Sequence, residues 1–302
     1  TQISTSDDQA SSLKIQSNGK IIVTGYAIYN TKKDFVVVRY NIDGTLDNSF
    51  GVNGIVRTTM SVYDDYATSV NIQNDGKIVV SGNSYIYAIS IARYDTSGIL
   101  DNTFGINGKV ITLFNDIQGN GRADSKCSSV QTDGKIIIAG SISDSTGEDF
   151  MLLRYNTDGG IDSSFGINGM VRTHFISNYN DWINAMVLQP DGKIVCVGNT
   201  SPGPHCYIAI ARYNDNGTID FQSTNYCFDM GGALSVALQN NGKIVTAGFN
   251  FSAGPYLSMI RFNTGGSLDY TFGSSGCGGS TLVNDAYGLA IQSDGKYVTC
   301  GT

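Results

Sequence analysis

SSLKIQSNGKIIVTG at residues 11–25 and ALSVALQNNGKIVTAG at residues 233–248 read alike: an apolar-rich run, an Asn-Gly step, and a second apolar-rich run. Asn-Gly and Asp-Gly readily take the positive φ values of a tight hairpin turn, so each stretch predicts two antiparallel strands, A and B. The heart of the pattern, Gln-x-(Asn/Asp)-Gly-Lys, occurs six times, with glycines at Gly19, Gly76, Gly134, Gly192, Gly242 and Gly295 and spacings of 57, 58, 58, 50 and 53 residues. A period of this size marks an array of supersecondary units and decides the fold before any local reading.

Each hairpin is followed by a third run: FVVVRY, ISIARY, FMLLRY, YIAIARY and LSMIRF. These strands, C, are apolar on both faces, as suits a sheet packed between neighbouring sheets. A shorter run, D, follows in IVRTT, KVITL and MVRTH, with a weaker version at residues 2–5. Four short antiparallel strands repeated about six times predict an all-β chain forming one six-bladed β-propeller domain over residues 1–302. A two-sheet sandwich is the runner-up, but it requires wet and dry faces to alternate along each strand, and strand C shows no alternation. The chain opens on a D-like strand and closes after strand B. Grouping the strands as D-A-B-C therefore leaves a last blade lacking only its outer strand, and this phase is expected; a chain continuing past Thr302 would explain the same ending.

Composition narrows the function classes. The 302 residues include 37 glycines, only 15% charged residues and a single glutamate, Glu148, so long helices are not expected. A net charge of −7 opposes binding to nucleic acid or to an anionic membrane surface. No apolar run approaches the ~20 residues of a spanning helix, so membrane insertion is not expected. The first residue is Thr1 rather than Met, which predicts a processed or trimmed, soluble chain.

Positions copied in every repeat read as scaffold. Each strand C ends in an arginine with an aspartate eight residues later: Arg39 and Asp47, Arg93 and Asp101, Arg154 and Asp162, Arg212 and Asp220, Arg261 and Asp269. A guanidinium buried between sheets needs a carboxylate, so these pairs are expected to brace the connectors rather than to catalyse. Phe50, Phe104, Phe165 and Phe272 recur in the same connectors and are expected to fill the space between blades. Asn41, Asp43 and Asp47 faintly resemble a calcium loop; calcium is the alternative to having no cofactor, but Asx turns explain the residues without an ion.

Positions that are not copied read as function. The B–C and D–A loops vary in length and emerge on one face, where loops on a rigid scaffold carry specificity. This face offers Tyr29, Tyr85, Tyr179, Trp182, His205 and Tyr256, together with Tyr87, Asp116, Arg122 and Phe251. Aromatic rings beside carboxylates and amides suit a sugar face or a protein partner. The D–A loops also supply Asp8, Asp65, Asp124, Asp181 and Asp285, which could ring a cation in the central channel or cap the start of strand A.

Much chemistry is missing. There is no Gly-x-Ser-x-Gly elbow, phosphate loop or His-Glu-x-x-His, and the two histidines, His174 and His205, cannot furnish a three-histidine zinc site. The six cysteines contain no Cys-x-x-Cys pair; buried free thiols are the simpler reading, with a Cys196–Cys206 disulfide as the alternative.

The unit Gln-x-Asp-Gly-Lys-Ile-x-x-x-Gly at residues 73–82, with Arg-Tyr-Asn-x-Asp-Gly-x-Leu-Asp-x-x-Phe-Gly-x-x-Gly at residues 39–54, resembles the delta-60 repeat family of β-propellers. The resemblance spans nearly the whole chain. It implies the fold but no agreed activity and no catalytic residues, and it implies an extracellular, cell-surface or virion-associated place. The reading at this point is a non-enzymatic structural or interaction module that presents its variable-loop face to a protein or glycan. Self-association through the incomplete last blade is a further expectation. The alternative is a propeller hydrolase or lactonase with a divalent cation in the channel.

Overall fold

The computed structural model describes residues 1–84, 88–114, 121–145, 147–176, 179–201, 206–225, 230–250, 257–280 and 285–301. The chain divides into two compact units, Thr1–Ile138 with Leu153–Asp162, and Ala139–Leu152 with Ser163–Thr302. In the first unit, β1 (Asp8–Ile15), β2 (Ile21–Tyr29), β3 (Lys32–Tyr40) and β4 (Ile55–Thr58) form one antiparallel sheet in that order. A second sheet follows with β5 (Asp65–Ile72), β6 (Ile78–Ser84), β7 (Ala88–Tyr94) and β8 (Lys109–Leu113). The division between units falls within the next group, β9 (Arg122–Val130), β10 (Ile136–Asp144), β11 (Gly147–Tyr155) and β12 (Met170–Thr173). In the second unit, β13 (Asp181–Leu188), β14 (Ile194–Thr200), β15 (Tyr207–Tyr213) and β16 (Ile219–Asn225) form a sheet. So do β17 (Met230–Leu238), β18 (Ile244–Asn250), β19 (Leu257–Phe262) and β20 (Cys277–Ser280). The last sheet pairs β21 (Ala286–Ile291) with β22 (Tyr297–Gly301). Among the described residues no helix is long and apolar enough to cross a membrane.

The A-B turns form as their sequence demands. In the second repeat Gly76 sits at φ +84°, its amide donates to Gln73 O at 2.9 Å, and Gln73 N returns to Lys77 O at 2.9 Å. Strand B then closes on strand A through a glycine. The register of β5 on β6 shifts between Ala67 and Ser69, opposite Gly82, and a Cβ on Gly82 would lie 1.9 Å from Tyr66 O. Gly25, Gly198, Gly248 and Gly301 approach their own A strands as closely. The motif position Ile-x-x-x-Gly is therefore the seat of a β-bulge.

The expected D-A-B-C phase is wrong: the sheets group as A-B-C-D. Strand β4 pairs with β3 through Val38↔Ile55 and Phe35↔Thr58 rather than with a following A strand. The connector does not travel across the blade, because its turns fold it back on strand C. Asp47 N donates to Arg39 O, Phe50 N to Asp47 O, Gly54 N to Phe50 O, and Arg39 N to Gly54 O. As a result the last sheet, among the described residues, holds only A and B strands and lacks more than an outer strand. In the fourth repeat the C-D turn is shorter; β16 begins at Ile219, and Phe221 pairs directly opposite Arg212.

The C strands are buried on both faces, with β7 buried throughout. In the first unit Phe35, Val37, Phe50, Val70, Ile78, Val80 and Tyr94 form one core between the two sheets. In the second unit Val195, Val197, Ile208, Ile210, Ile244, Ile260 and Phe262 do the same.

The copied arginines sit in this setting as three-way braces. Arg93 Nε donates to Asp101 Oδ2 at 2.9 Å, its Nη1 reaches the carbonyl of Thr157, and its guanidinium lies 4.5 Å from the Phe104 ring centroid. Arg39 repeats the arrangement with Asp47, Thr96 O and Phe50. Arg212 repeats it with Asp220, Thr264 O and Phe221, and Arg261 with Asp269 and Phe272. Arg154 donates to Asp162 at 2.7 Å. The lysines of the first five hairpin turns join the same carboxylates: Lys20 on Asp47, Lys77 on Asp101, Lys135 on Asp162, Lys193 on Asp220 and Lys243 on Asp269. The brace is thus a Lys-Asp-Arg triad, and the motif lysine was a partner the spacing argument overlooked.

The triads set the acid limit of the fold. Lys20, then Ser49 and Arg39, overcome burial and hold the Asp47 carboxyl well below the usual carboxylate range. At Asp101 burial opposes ionisation, but Thr103, Lys77 and Arg93 outweigh it with the same result. A carboxyl depressed in the folded state contributes stability above its unfolded value of about 3.9, and that contribution is lost as pH falls through the folded value. Circular dichroism against pH should therefore show the sheets intact at about pH 4 and failing only in stronger acid. Loss of signal near pH 5 would contradict this.

Candidate functional site

Counting back from each turn glycine separates the D–A aspartates into two kinds. Asp8, Asp65 and Asp181 stand eleven residues before Gly19, Gly76 and Gly192, whereas Asp124 and Asp285 stand ten before Gly134 and Gly295. A slip of one residue along a strand turns a side chain to the other face. The five therefore do not form one equivalent set. Asp8 Oδ2 accepts from Ile3 N and Ser4 N, and Oδ1 from Ser4 Oγ. Asp65 does the same with Met60 N, Ser61 N and Ser61 Oγ. Both cap the turn that opens strand A. Asp124 instead accepts from Asn83 and pairs with Lys126, and Asp285 accepts from Tyr287. Position ten varies in every repeat but one pair, occupied in turn by Gln9, Tyr66, Asp124, Trp182, Gly232 and Asp285, whereas position eleven is aspartate in three of the six.

Two of these variable residues, Tyr66 and Asp124, meet in a cleft of about 770 Å³ in the first unit, lined also by Lys32, Tyr63, Asp64, Asn83, Arg122 and Lys126. Its walls are fixed by specific contacts. The Tyr66 ring stands edge-on to Tyr26 at 5.4 Å, and Lys33 Nζ lies 4.5 and 4.6 Å from the two ring centroids. Lys33 N donates to Asp64 Oδ1 at 3.0 Å, which seats the D–A loop on strand C. Asn83 donates to Asp124 Oδ1 at 2.6 Å and accepts from Ser125 N at 2.7 Å, joining β6 to the start of β9. Tyr63 is 51% exposed at the rim. Rings, carboxylates, an amide and cations on a rigid wall offer stacking and directional hydrogen bonds together.

In the second unit the variable face concentrates polar side chains of another kind. Trp182 Nε1 donates to Glu148 Oε2 at 2.6 Å, and Ser141 Oγ donates to Glu148 Oε1 at 2.6 Å, so the single tryptophan and the single glutamate of the chain pair with each other. Beside them, His174 Nδ1 lies 2.6 Å from Asp149 Oδ1 and 3.5 Å from Asp181 Oδ2. Arg172 pairs with Asp144 and Asp149, and these carboxylates, Asp144 first, raise its affinity for its proton against the effect of burial. Burial pushes the Asp181 carboxyl up, against the opposing effects of Thr200, Phe175 N and His174. Among the described residues, Asp149, His174 and Asp181 are the one group of three side chains of metal-ligating type with ligand atoms within 4.8 Å of one another.

The remaining expected residues fall as follows. Tyr29 is partly buried beneath the Arg57 guanidinium, 4.0 Å from its ring centroid. Tyr179 is 39% exposed. Tyr85, Tyr87, Asp116, His205, Phe251 and Tyr256 lie outside the described residues. Asp43 closes an Asx turn, accepting from Thr45 N at 3.0 Å. Neither Cys196 nor Cys206 is disulfide-bonded, so the disulfide between them is not formed; Cys277 is disulfide-bonded, which departs from the free-thiol reading. Sequence reasoning missed Tyr63, Tyr66 and Asn83. The one-residue count from the turn glycine would have found Tyr66.

Repeated four-stranded antiparallel sheets, built on glycine-turned hairpins and copied triads, define a β-propeller repeat protein. The chain belongs to the family described as domain of unknown function (DUF5122) beta-propeller, which matches residues 16–50, 73–104, 131–165, 189–220 and 239–272, together more than half of its length. No curated protein shows significant similarity to it. Among solved structures, a putative 6-phosphogluconolactonase from Bacteroides uniformis is 11% identical with a TM-score of 0.57, over 96% of this chain and 77% of that one. A protein of unknown function from Dyadobacter fermentans is 13% identical with a TM-score of 0.55, over 93% and 85%. Sqt1 from Chaetomium thermophilum is 10% identical with a TM-score of 0.51, over 94% of this chain but only 64% of that one, less than two thirds of its length. Likeness at these identities is likeness of fold.

Proposed function

We propose that the chain is a non-enzymatic binding module whose variable-loop face takes a glycan, with the cleft beside Tyr63 and Tyr66 as the contact. The observation that carries this reading is that the rings of the cleft stand at positions the repeats do not copy. Tyr63 and Tyr66 stand where the first repeat has Ser6 and Gln9, although Asp64 and Asp65 match Asp7 and Asp8. A scaffold role would favour copying; a recognition role favours divergence at these positions. An exposed ring flanked by Asp64, Asn83 and Asp124 supplies the apolar plane and the polar edge that a pyranose presents in return. The disulfide-bonded Cys277 supports an oxidising, extracellular setting for such a module.

A glycan-array screen of the chain and of its Tyr63→Ala variant tests the reading. At least one glycan class should bind, and loss of the ring should weaken binding by about tenfold, or ~1.4 kcal/mol, at unchanged melting temperature. Binding of a protein partner but no glycan, or glycan binding indifferent to Tyr63, would discard it. The hydrolase reading draws on a different observation, the Asp149, His174 and Asp181 group, and requires turnover of a lactone or glycoside that a divalent cation restores after chelation.

A further inference from the structure

We infer that Asp149, His174 and Asp181 form a binding site for one divalent transition-metal cation of the zinc class, created where one repeat exchanges two residues of its turn. Residues 55–61, IVRTTMS, and residues 170–176, MVRTHFI, occupy the same place in their repeats. Each carries, as its third residue, an arginine paired to an aspartate 23 residues earlier, Arg57 on Asp34 and Arg172 on Asp149. Each is followed by a fully buried aspartate at the head of strand A, Asp65 and Asp181.

In the earlier repeat the turn satisfies its aspartate completely, since Ser61 Oγ donates to Asp65 Oδ1 while Met60 N and Ser61 N donate to Oδ2. Counted from the arginine, the later repeat has His174 for Thr59 and Ile176 for Ser61, and its turn is one residue longer, with Asp181 nine residues after Arg172 where Asp65 is eight after Arg57. Phe175 N still donates to Asp181 Oδ2 at 2.9 Å, but Oδ1 and the buried Thr200 Oγ1 are each left with no hydrogen-bond partner. A buried carboxylate oxygen without a donor is costly, and native structures seldom leave one without a bound ion or water. The same pair of exchanges that removes the hydroxyl brings an imidazole up to the carboxylate.

The spacing suits a cation. Ligand atoms about 2.0–2.2 Å from a metal lie roughly 3–4 Å from one another. The separations of 2.6 and 3.5 Å from His174 Nδ1 to the two carboxylates need only slight opening of the first. One imidazole and two carboxylates are a borderline donor set, which favours a zinc-class ion over calcium or magnesium. Arg172 on the outer oxygen of Asp149 serves as the supporting contact that orients a ligand. His174 is 40% exposed, so the ion can enter from solvent and keep water in its open positions. The inference is independent of the glycan reading and holds whether or not the site turns anything over.

The test uses the untagged full chain, stripped with a chelator and titrated with Zn²⁺ alone by calorimetry, with a thermal melt of each sample. One equivalent should bind, and saturation should raise the melting temperature. The double variant His174→Thr with Ile176→Ser places the sister repeat's residue types at two positions that are not buried, and so should fold; it should bind at least about a hundredfold more weakly and show no thermal response. His205→Ala, which removes the other histidine, should match the parent chain. Absence of stoichiometric binding to the parent, undiminished binding by the double variant, or loss of binding in His205→Ala would overturn the inference.

Discussion

Asp101→Ala is expected to cost about 3–5 kcal/mol, among the largest losses available at a polar position. The Arg93 guanidinium is only 6% exposed, and Asp101 is its one anionic partner in the contacts that hold it: Thr157 O, Thr103 Oγ1, the Phe104 ring and the carboxylate. Removing the carboxylate leaves a cation out of water with only neutral acceptors, and such an uncompensated charge costs far more than the net worth of the pair. Lys77, the third member, is 33% exposed and can turn to solvent, so Lys77→Ala should lose no more than about 1 kcal/mol. Urea unfolding of the two variants separates the cases by midpoint at constant slope. Equal small losses would mean that the arginine is solvated and the brace is decorative.

Gly82→Ala should be at least as damaging, at about 3 kcal/mol or more, or should prevent folding. The added methyl would stand 1.9 Å from Tyr66 O and 2.7 Å from Ala67 Cα, both backbone atoms of the facing strand, so no side chain can swing aside. The bulge in β5 must then dissolve or the hairpin must part, and Tyr66 would leave the cleft with it. Gly192→Ala is the control. That turn glycine has φ +86° and nothing within 4 Å of its Cβ position, so only the left-handed backbone is penalised, at about 1–2 kcal/mol. If the two variants melt alike, close approach is not what the B-strand glycine provides.

Hairpins, two-faced C strands and the arginine-aspartate spacing were legible because each is a local relation repeated in register. Spacing of eight residues between Arg93 and Asp101 survives any arrangement of the sheets, as it depends only on the connector. The phase of the sheets was not legible in the same way. Whether strand D joins the C strand before it or the A strand after it depends on how tightly residues 41–54 turn, and the hydrogen bonds from Gly54 to Phe50 and from Arg39 to Gly54 decide that, not strand count. The aspartates of the D–A loops misled for a different reason. Asp124 and Asp65 look equivalent in a loop of variable length, yet they point to opposite faces once the bulge is counted from the turn glycine. Tyr66 and Asp124 therefore belong to one variable position, a relation visible in the sequence only after strand A is anchored at its far end. The meeting of Glu148 with Trp182, and of Asp149 with His174, joins different strands and carried no sequence signal beyond the rarity of the residues.

Saturation mutagenesis of the displayed chain, selected for folded protein alone, measures most directly the division between copied scaffold and divergent recognition surface. The account predicts intolerance at Arg93, Asp101, Phe104, Gly82 and their counterparts in the other repeats, beside broad tolerance at Tyr63, Arg122 and Asp124. Free substitution of the copied residues in several repeats, or equal intolerance at the cleft positions, would contradict it.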